Sequence, residues 1–261
     1  MPFDIKTGET KGESTGEDYG TLTAEYLLNK MKKDKTVVTV VALCINKNPA
    51  TILVNSASVY GMNDVTHLGL YDIAMMSNIP NLVYLAPTNK QEYFAMLDWS
   101  IEQNSYPVAI RIPCNGVIEC EKEVDKDYSN LNKYKVEEKG DKIAIIALGD
   151  FFNIGEELSR KIKEELNITP TLINPRYITG IDNELLENLK ENHEIVLTLE
   201  DGILDGGFGE KIARYYGTST MKVKNYGIKK SFPDRYNVQE LLKENGITND
   251  QILEDIKKMM K

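Results

Sequence analysis

Cysteine is scarce in this chain. Cys44, Cys114 and Cys120 are an odd count among 261 residues, with no Cys-x-x-Cys pair, which excludes a disulfide framework and argues against structural zinc. Cys114, two residues after Ile112, reads as a passive thiol, a reactive one being the alternative. Positive charge is also short. Against 40 Asp and Glu stand 31 Lys and Arg, a net charge of −9, and no basic stripe interleaved with aromatics offsets it, so neither nucleic acid nor an anionic membrane surface is an expected partner. Long apolar runs are missing too: Lys142-Ile143-Ala144-Ile145-Ile146-Ala147-Leu148 has the length of a strand, far below the ~20 residues of a membrane helix. The opening Met1-Pro2-Phe3-Asp4 carries no signal pattern, and the expectation is a folded, cytoplasmic protein.

With 41% hydrophobic residues, the chain can bury more than one core, and two domains are the natural reading. Residues 1–16 are polar and Gly-rich, as in a linker or flexible arm. Leu22, Tyr26, Leu27 and Met31 recur at helical spacing between Glu17 and Lys33. Thr36–Ala42 is a β-branched run that predicts a buried parallel strand, and another begins at Ala50 with Thr51-Ile52-Leu53-Val54. Only Leu43 to Pro49 lies between them. Parallel neighbours need a crossover of roughly a dozen residues, so either a segment is missing or the topology is unusual.

Beyond that point the pattern is regular. A short helix is predicted over Leu70–Ser77, a strand over Leu82–Ala86, a helix opened by a Thr88/Gln91 capping box, and a strand over Pro107–Ile112. Tyr93, Phe94, Leu97 and Ile101 form the core face of that helix. Residues 119–141 turn polar and read as a linker between a first domain, 17–118, and a second, 142–261. In the second, strands at Lys142–Leu148, Pro170–Ile173 and Glu194–Leu199 alternate with helices at Asn153–Leu166 and Asn183–Glu191. The fold class is therefore α/β, two doubly wound domains with mainly parallel sheets and ligands at the carboxyl ends of the strands. The loop Gly202-Ile203-Leu204-Asp205-Gly206-Gly207-Phe208-Gly209, ahead of a helix over Glu210–Tyr216, either holds a phosphate on its amides or packs closely; it has neither Walker nor Rossmann spacing.

The most informative stretch is Asp64-Val65-Thr66-His67-Leu68-Gly69-Leu70-Tyr71-Asp72, continued by Ile79-Pro80-Asn81, Ala86-Pro87 and Val108-Ala109-Ile110-Arg111. His67 at a helix start and Arg111 at a strand end make a cradle for a phosphorylated sugar. The plainer alternatives are a loop histidine holding a carbonyl and a surface ion pair. His67 is the first candidate for catalysis, since imidazole suits general acid/base work. Arg111 is the candidate for substrate binding, through its planar fork of donors.

In order and spacing these elements resemble the T-H-x-G-x-x-D, I-P-N, A-P and V-A-I-R-x-P pattern of the pyrimidine-binding domain of transketolase-type thiamine-diphosphate enzymes, most closely the 1-deoxy-D-xylulose-5-phosphate synthases. Glu200 through Gly209 is similar to the E-x-x-x-x-x-G-G-x-G segment of their carboxy-terminal domain. Phe232-Pro233-Asp234-Arg235-Tyr236 with Glu240-Leu241-Leu242 and Gly246-Ile247-Thr248, and also Asn174-Pro175-Arg176-Tyr177, resemble further segments of it. The resemblance implies thiamine diphosphate and Mg2+, a homodimer, and a phosphorylated-sugar or 2-oxo acid substrate; the cofactor makes an enamine from the donor that adds to an aldehyde. The chain also departs from the family. It lacks the G-D-G…N motif for diphosphate and magnesium and the stretch holding the activating glutamate. Asn63 stands for an expected aspartate, and Ser56 and Cys114 for expected arginines. The expectation is a chain inactive alone, completed by a companion chain that carries the diphosphate-binding domain. The alternatives are a non-catalytic, dimerising or regulatory half-protein and, last, a flavodoxin-type binding module.

Overall fold

Two sets of aliphatic runs, one on either side of residue 120, build two sheets. The structure, a computed structural model, describes residues 49–61, 64–121 and 123–261, and of the preceding stretch residues 18, 19, 22, 23, 25, 26, 29 and 30. The arm at 1–16, the strand over Thr36–Ala42 and most of the short interval after it lie outside the described residues. Within the predicted 17–33 helix, Tyr19, Leu22, Thr23, Glu25, Tyr26, Asn29 and Lys30 are helical, and the Tyr19 ring meets Tyr93 edge-on at 4.9 Å.

The first sheet has three parallel strands, β1 (Ala50–Ala57), β2 (Val83–Leu85) and β3 (Pro107–Pro113), in the order β1-β3-β2. Helices α1 (Asp72–Met76) and α2 (Lys90–Glu102) connect them. Asn89, not Thr88, caps α2: its side chain accepts from the Glu92 amide at 2.9 Å. The frames Thr88/Gln91 and Asn89/Glu92 overlap. Glu92 decides between them by folding back, so that the Thr88 amide and hydroxyl both donate to its carboxylate.

The second sheet contains β4 (Lys135–Glu138), β5 (Lys142–Ala147), β6 (Thr171–Asn174), β7 (His193–Ile203) and β8 (Lys222–Ile228), in the order β4-β6-β5-β7-β8, parallel except for β4. Around it lie α3 (Phe152–Leu166), α4 (Asn183–Leu189), α5 (Phe208–Tyr216), α6 (Val238–Glu244) and α7 (Asn249–Met259). β5 shows why its sequence reads as a continuous apolar run. Ile143, Ile145 and Ala147 face the layer of α3, α6 and α7, while Ala144, Ile146 and Leu148 face that of α4 and α5. Both faces are covered, so both sets of alternate residues are apolar.

The interval 119–141 is not all connection. Its end forms β4, an antiparallel edge strand, and Tyr128 and Tyr134 within it are buried. β4 has only four residues, Lys-Val-Glu-Glu, with no alternation long enough to be read as a strand. A seam joins the two sheets. Residues 174–178 run along β2, where the Ala86 amide donates to the Arg176 carbonyl and the Ile178 amide to the Tyr84 carbonyl, each at 2.8 Å. Nearby, Asn174 donates to the fully buried Glu92 at 3.0 Å.

Candidate active site

The carboxyl ends of β1 and β3 meet those of β5 and β7, the position where open α/β sheets hold ligands. Arg111, near the end of β3, is 2% exposed. Its Nε and Nη2 donate to the two oxygens of Asp72 at 2.7 and 3.2 Å, and its Nη1 donates to Asp201 at the end of β7. Tyr84 donates its hydroxyl to Asp72 as well. Burial works against the arginine's charge, but Asp201 and Asp72 outweigh it and hold the pKa above its ordinary value. The fork read from sequence as facing substrate is thus occupied by two carboxylates, one from each sheet's side of the molecule. Desolvating the three ions costs about what their attraction returns, whereas removing one partner leaves uncompensated buried charge.

His67 stands on the loop between β1 and α1. Two features fix the loop's base: the Ser58 amide donates to the Gly69 carbonyl at 3.0 Å, and Gly69 lies so close to β1 that a Cβ there would stand 1.8 Å from the Ser56 carbonyl oxygen. Only glycine fits this approach. At the tip, the Thr66 amide and hydroxyl donate to Asp64, whose carboxyl those bonds, with His67, hold at about 2. His67 Nδ1 is 2.7 Å from Thr66 Oγ1 and 3.3 Å from Asp64 Oδ1. Because the Thr66 proton goes to Asp64, the Nδ1 contact requires an Nδ1–H, which in the neutral ring leaves the lone pair of a general base on Nε2. The His67 side chain is 74% exposed.

Beside the clasp that Arg111 forms with Asp72 and Asp201, Asp150 accepts from Ser58 Oγ at 2.8 Å and from Asn115 Nδ2 at 2.5 Å. Asn115 also donates to the Val59 carbonyl at 2.8 Å. Ser56 and Ser58 take φ of 59° and 81°, conformations that non-glycine residues keep mainly where surrounding contacts enforce them.

The glycine-rich loop resolves against the phosphate alternative. The amides of Phe208 and Gly209 at the start of α5 donate to Glu200 at 2.7 and 2.9 Å, so the amides of the helix terminus are already taken by a carboxyl group of the same chain. A Cβ on Gly207 would lie 2.4 Å from Glu200 Oε2, which explains a glycine there. Burial pushes the Glu200 carboxyl up to about 7 although those amides pull it down.

Among the described residues no group of three or more His, Cys, Asp or Glu could hold a metal, and no helix is long and apolar enough to cross a membrane. Reading the sequence singled out neither Asp72, Asp201 nor Asp150 as site residues. Asp72 was within reach, being the aspartate of the T-H-x-G-x-x-D pattern that names His67.

Residues 36–116 match the family model described as transketolase, pyrimidine binding domain, and residues 132–252 the one described as transketolase, C-terminal domain. A 1-deoxy-D-xylulose-5-phosphate synthase from Clostridium tetani is 33% identical over 224 residues, 84% of this chain and 35% of that protein. One from Alkaliphilus oremlandii is 34% identical over 218 residues, 82% of this chain and 34% of that protein. The chain spans about a third of the length of these curated relatives. Among solved structures, a split-gene transketolase described as an inactive β4 tetramer superposes with a TM-score of 0.66 at 23% identity, over 80% of this chain and 65% of that one. A transketolase mutant from Pichia stipitis gives 0.61 at 16% identity, over 81% and 30%. The two likenesses establish a shared fold.

Proposed function

Because the chain belongs to the transketolase family, with its pyrimidine-binding domain followed by its C-terminal domain, we propose that it is one part of a thiamine-diphosphate-dependent transferase. The relatives favour the 1-deoxy-D-xylulose-5-phosphate synthase type, condensing pyruvate with glyceraldehyde 3-phosphate, with a transketolase-type transfer as the related possibility. A companion chain supplies the diphosphate-binding domain, and the chain described here is inactive alone. The observation that carries the reading is the clasp. The aspartate of T-H-x-G-x-x-D, the arginine of V-A-I-R and Asp201, next to Glu200 of the glycine-rich segment, close on one another, so three family motifs form one junction.

In that assembly His67 is the acid/base, with Nε2 moving a proton at a substrate oxygen. Asp64 and Thr66 set its tautomer. Arg111 binds no substrate; it holds the base of the His67 loop, through Asp72, against the second sheet. When bound, thiamine diphosphate supplies the carbanion equivalent. The residues described here do not fit its diphosphate end, since no metal cluster occurs among them and the sequence has no G-D-G…N motif, and that end and Mg2+ fall to the companion.

Titration calorimetry with thiamine diphosphate and Mg2+ tests the division of labour. Weak or no binding is expected for the chain alone. Binding and turnover of pyruvate with glyceraldehyde 3-phosphate should appear once a companion with the G-D-G domain is added. Tight binding by the isolated chain overturns it, and a complemented assembly that binds cofactor but turns nothing over favours the regulatory half-protein.

A further inference from the structure

The segment after β8 belongs to the second unit, yet it touches the loop that carries His67 in the first. The Val65 amide donates to Asp234 Oδ1 at 3.2 Å. The Tyr71 hydroxyl donates to the Ser231 carbonyl, and the Phe232 ring lies 5.2 Å from that of Tyr71. These contacts act where the loop is least supported. Its base is pinned by Gly69 and, behind that, by the Arg111 clasp. At the tip, Asp64, Thr66 and His67 bond to one another, and the Tyr60 hydroxyl, from the same loop, donates to the His67 carbonyl at 2.6 Å.

A turn closed on itself keeps its internal shape without fixing its direction. Direction needs a contact from outside, and among the described residues Asp234 provides one at Val65, two residues before His67. Consecutive Cα atoms are held about 3.8 Å apart by planar peptides, so displacing the Val65 amide displaces the imidazole. Phe232 and Ser231 hold the other side of the loop at Tyr71, which leads into α1.

We propose that Asp234 is a positioning residue for His67: the arm that follows β8 in the second unit sets where the imidazole stands, so the site is a joint product of both units. The proposal rests on the reading of His67 as the acid/base. Its chemistry is a single accepted hydrogen bond. Asp234→Ala removes the acceptor, while Asp234→Asn keeps Oδ1 and removes only the charge.

The full chain contains two histidines, His67 and His193, so imidazole carbon–proton spectra assign cleanly with a His67→Ala control. His193, held by Thr171 and the Leu189 carbonyl in the second unit, is the internal reference. Asp234→Ala should shift and broaden the His67 signals, leave those of His193 and the Tm unchanged, and lower kcat of the complemented assembly about tenfold or more. Asp234→Asn should restore both the His67 signals and kcat. A His67 signal indifferent to Asp234→Ala, or moved as far by Asp234→Asn, overturns the proposal. If His67→Ala itself leaves turnover normal, the acid/base reading falls, and the spectra still decide whether Asp234 places the ring.

Discussion

Three side chains separate chemistry from support. His67→Ala should reduce turnover of the complemented assembly about a hundredfold and leave the Tm nearly unchanged, because the side chain is exposed and its polar partners, Thr66 and Asp64, belong to the same turn; a lowered Tm with normal turnover per folded molecule would make His67 scaffold. Arg111 should do the reverse. Arg111→Met strands Asp72 and Asp201, and urea unfolding should show a loss of about 3–5 kcal/mol. Arg111→Lys keeps the charge without the fork and should also destabilise, more than it raises KM. Glu200 gives a pH signature. Its native pKa of about 7 lies above the 4.5 of the unfolded chain, so between these values the native state holds a proton that the unfolded state has released. Stability from this group is therefore full below pH 4.5 and lost as pH rises through 7, by up to about 3 kcal/mol. Urea midpoints from pH 5 to 8 should fall less steeply in Glu200→Gln than in the parent.

At the level of elements, the interval 119–141 has two characters. Residues 123 and 125–127 are exposed, while Tyr128, Tyr134 and β4 are packed. Brief trypsin treatment should cut first at Lys126, and the two pieces should stay together on size exclusion at neutral pH. Several ties cross the cut, among them the Arg111 clasp, the Asp150 bonds to Ser58 and Asn115, the pairing of residues 174–178 with β2, and the Asp234–Val65 contact. Separation of the pieces would show that these contacts do not outweigh the entropy of dissociation. The domain division 17–118 and 142–261 is in this sense a division of sequence between units that share a core.

For the whole molecule, three of the five large apolar side chains exposed among the described residues fall together, the other two being Val136 on β4 and Met260 after α7. Val65 is 47% exposed, Met75 73% and Phe232 72%. All three lie about the His67 loop: Val65 at its tip, Met75 four residues after Tyr71 on α1, and Phe232 stacked on Tyr71. Large apolar groups gathered on one side mark an association surface. Light scattering at micromolar concentration should accordingly give a dimer, and Phe232→Asp together with Met75→Asp should shift it toward monomer. A strict monomer in the parent protein would remove the dimer from the reading.

Much of this was legible locally. The continuous apolar run of β5 reports a strand covered on both faces, the Asn183–Leu189 helix announces itself by its pattern, and ordered motifs identify the family, because propensity, periodicity and spacing act over a few residues. His67 could be named for the same reason. What its neighbours do could not. Thr88 and Asn89 offered two capping frames, and the packing of Glu92 chose between them; Lys135-Val136-Glu137-Glu138 became β4 because an edge of the second sheet was there to pair with. Arg111 lies 90 positions from Asp201, and Val65 169 from Asp234. Sequence alone determined that an arginine ends an apolar strand and that a histidine stands two residues before a glycine, just ahead of a short helix. Tertiary structure decided that the arginine closes the seam while the histidine stays open, because whether a charge meets solvent or two buried carboxylates depends on chain segments brought together only by folding.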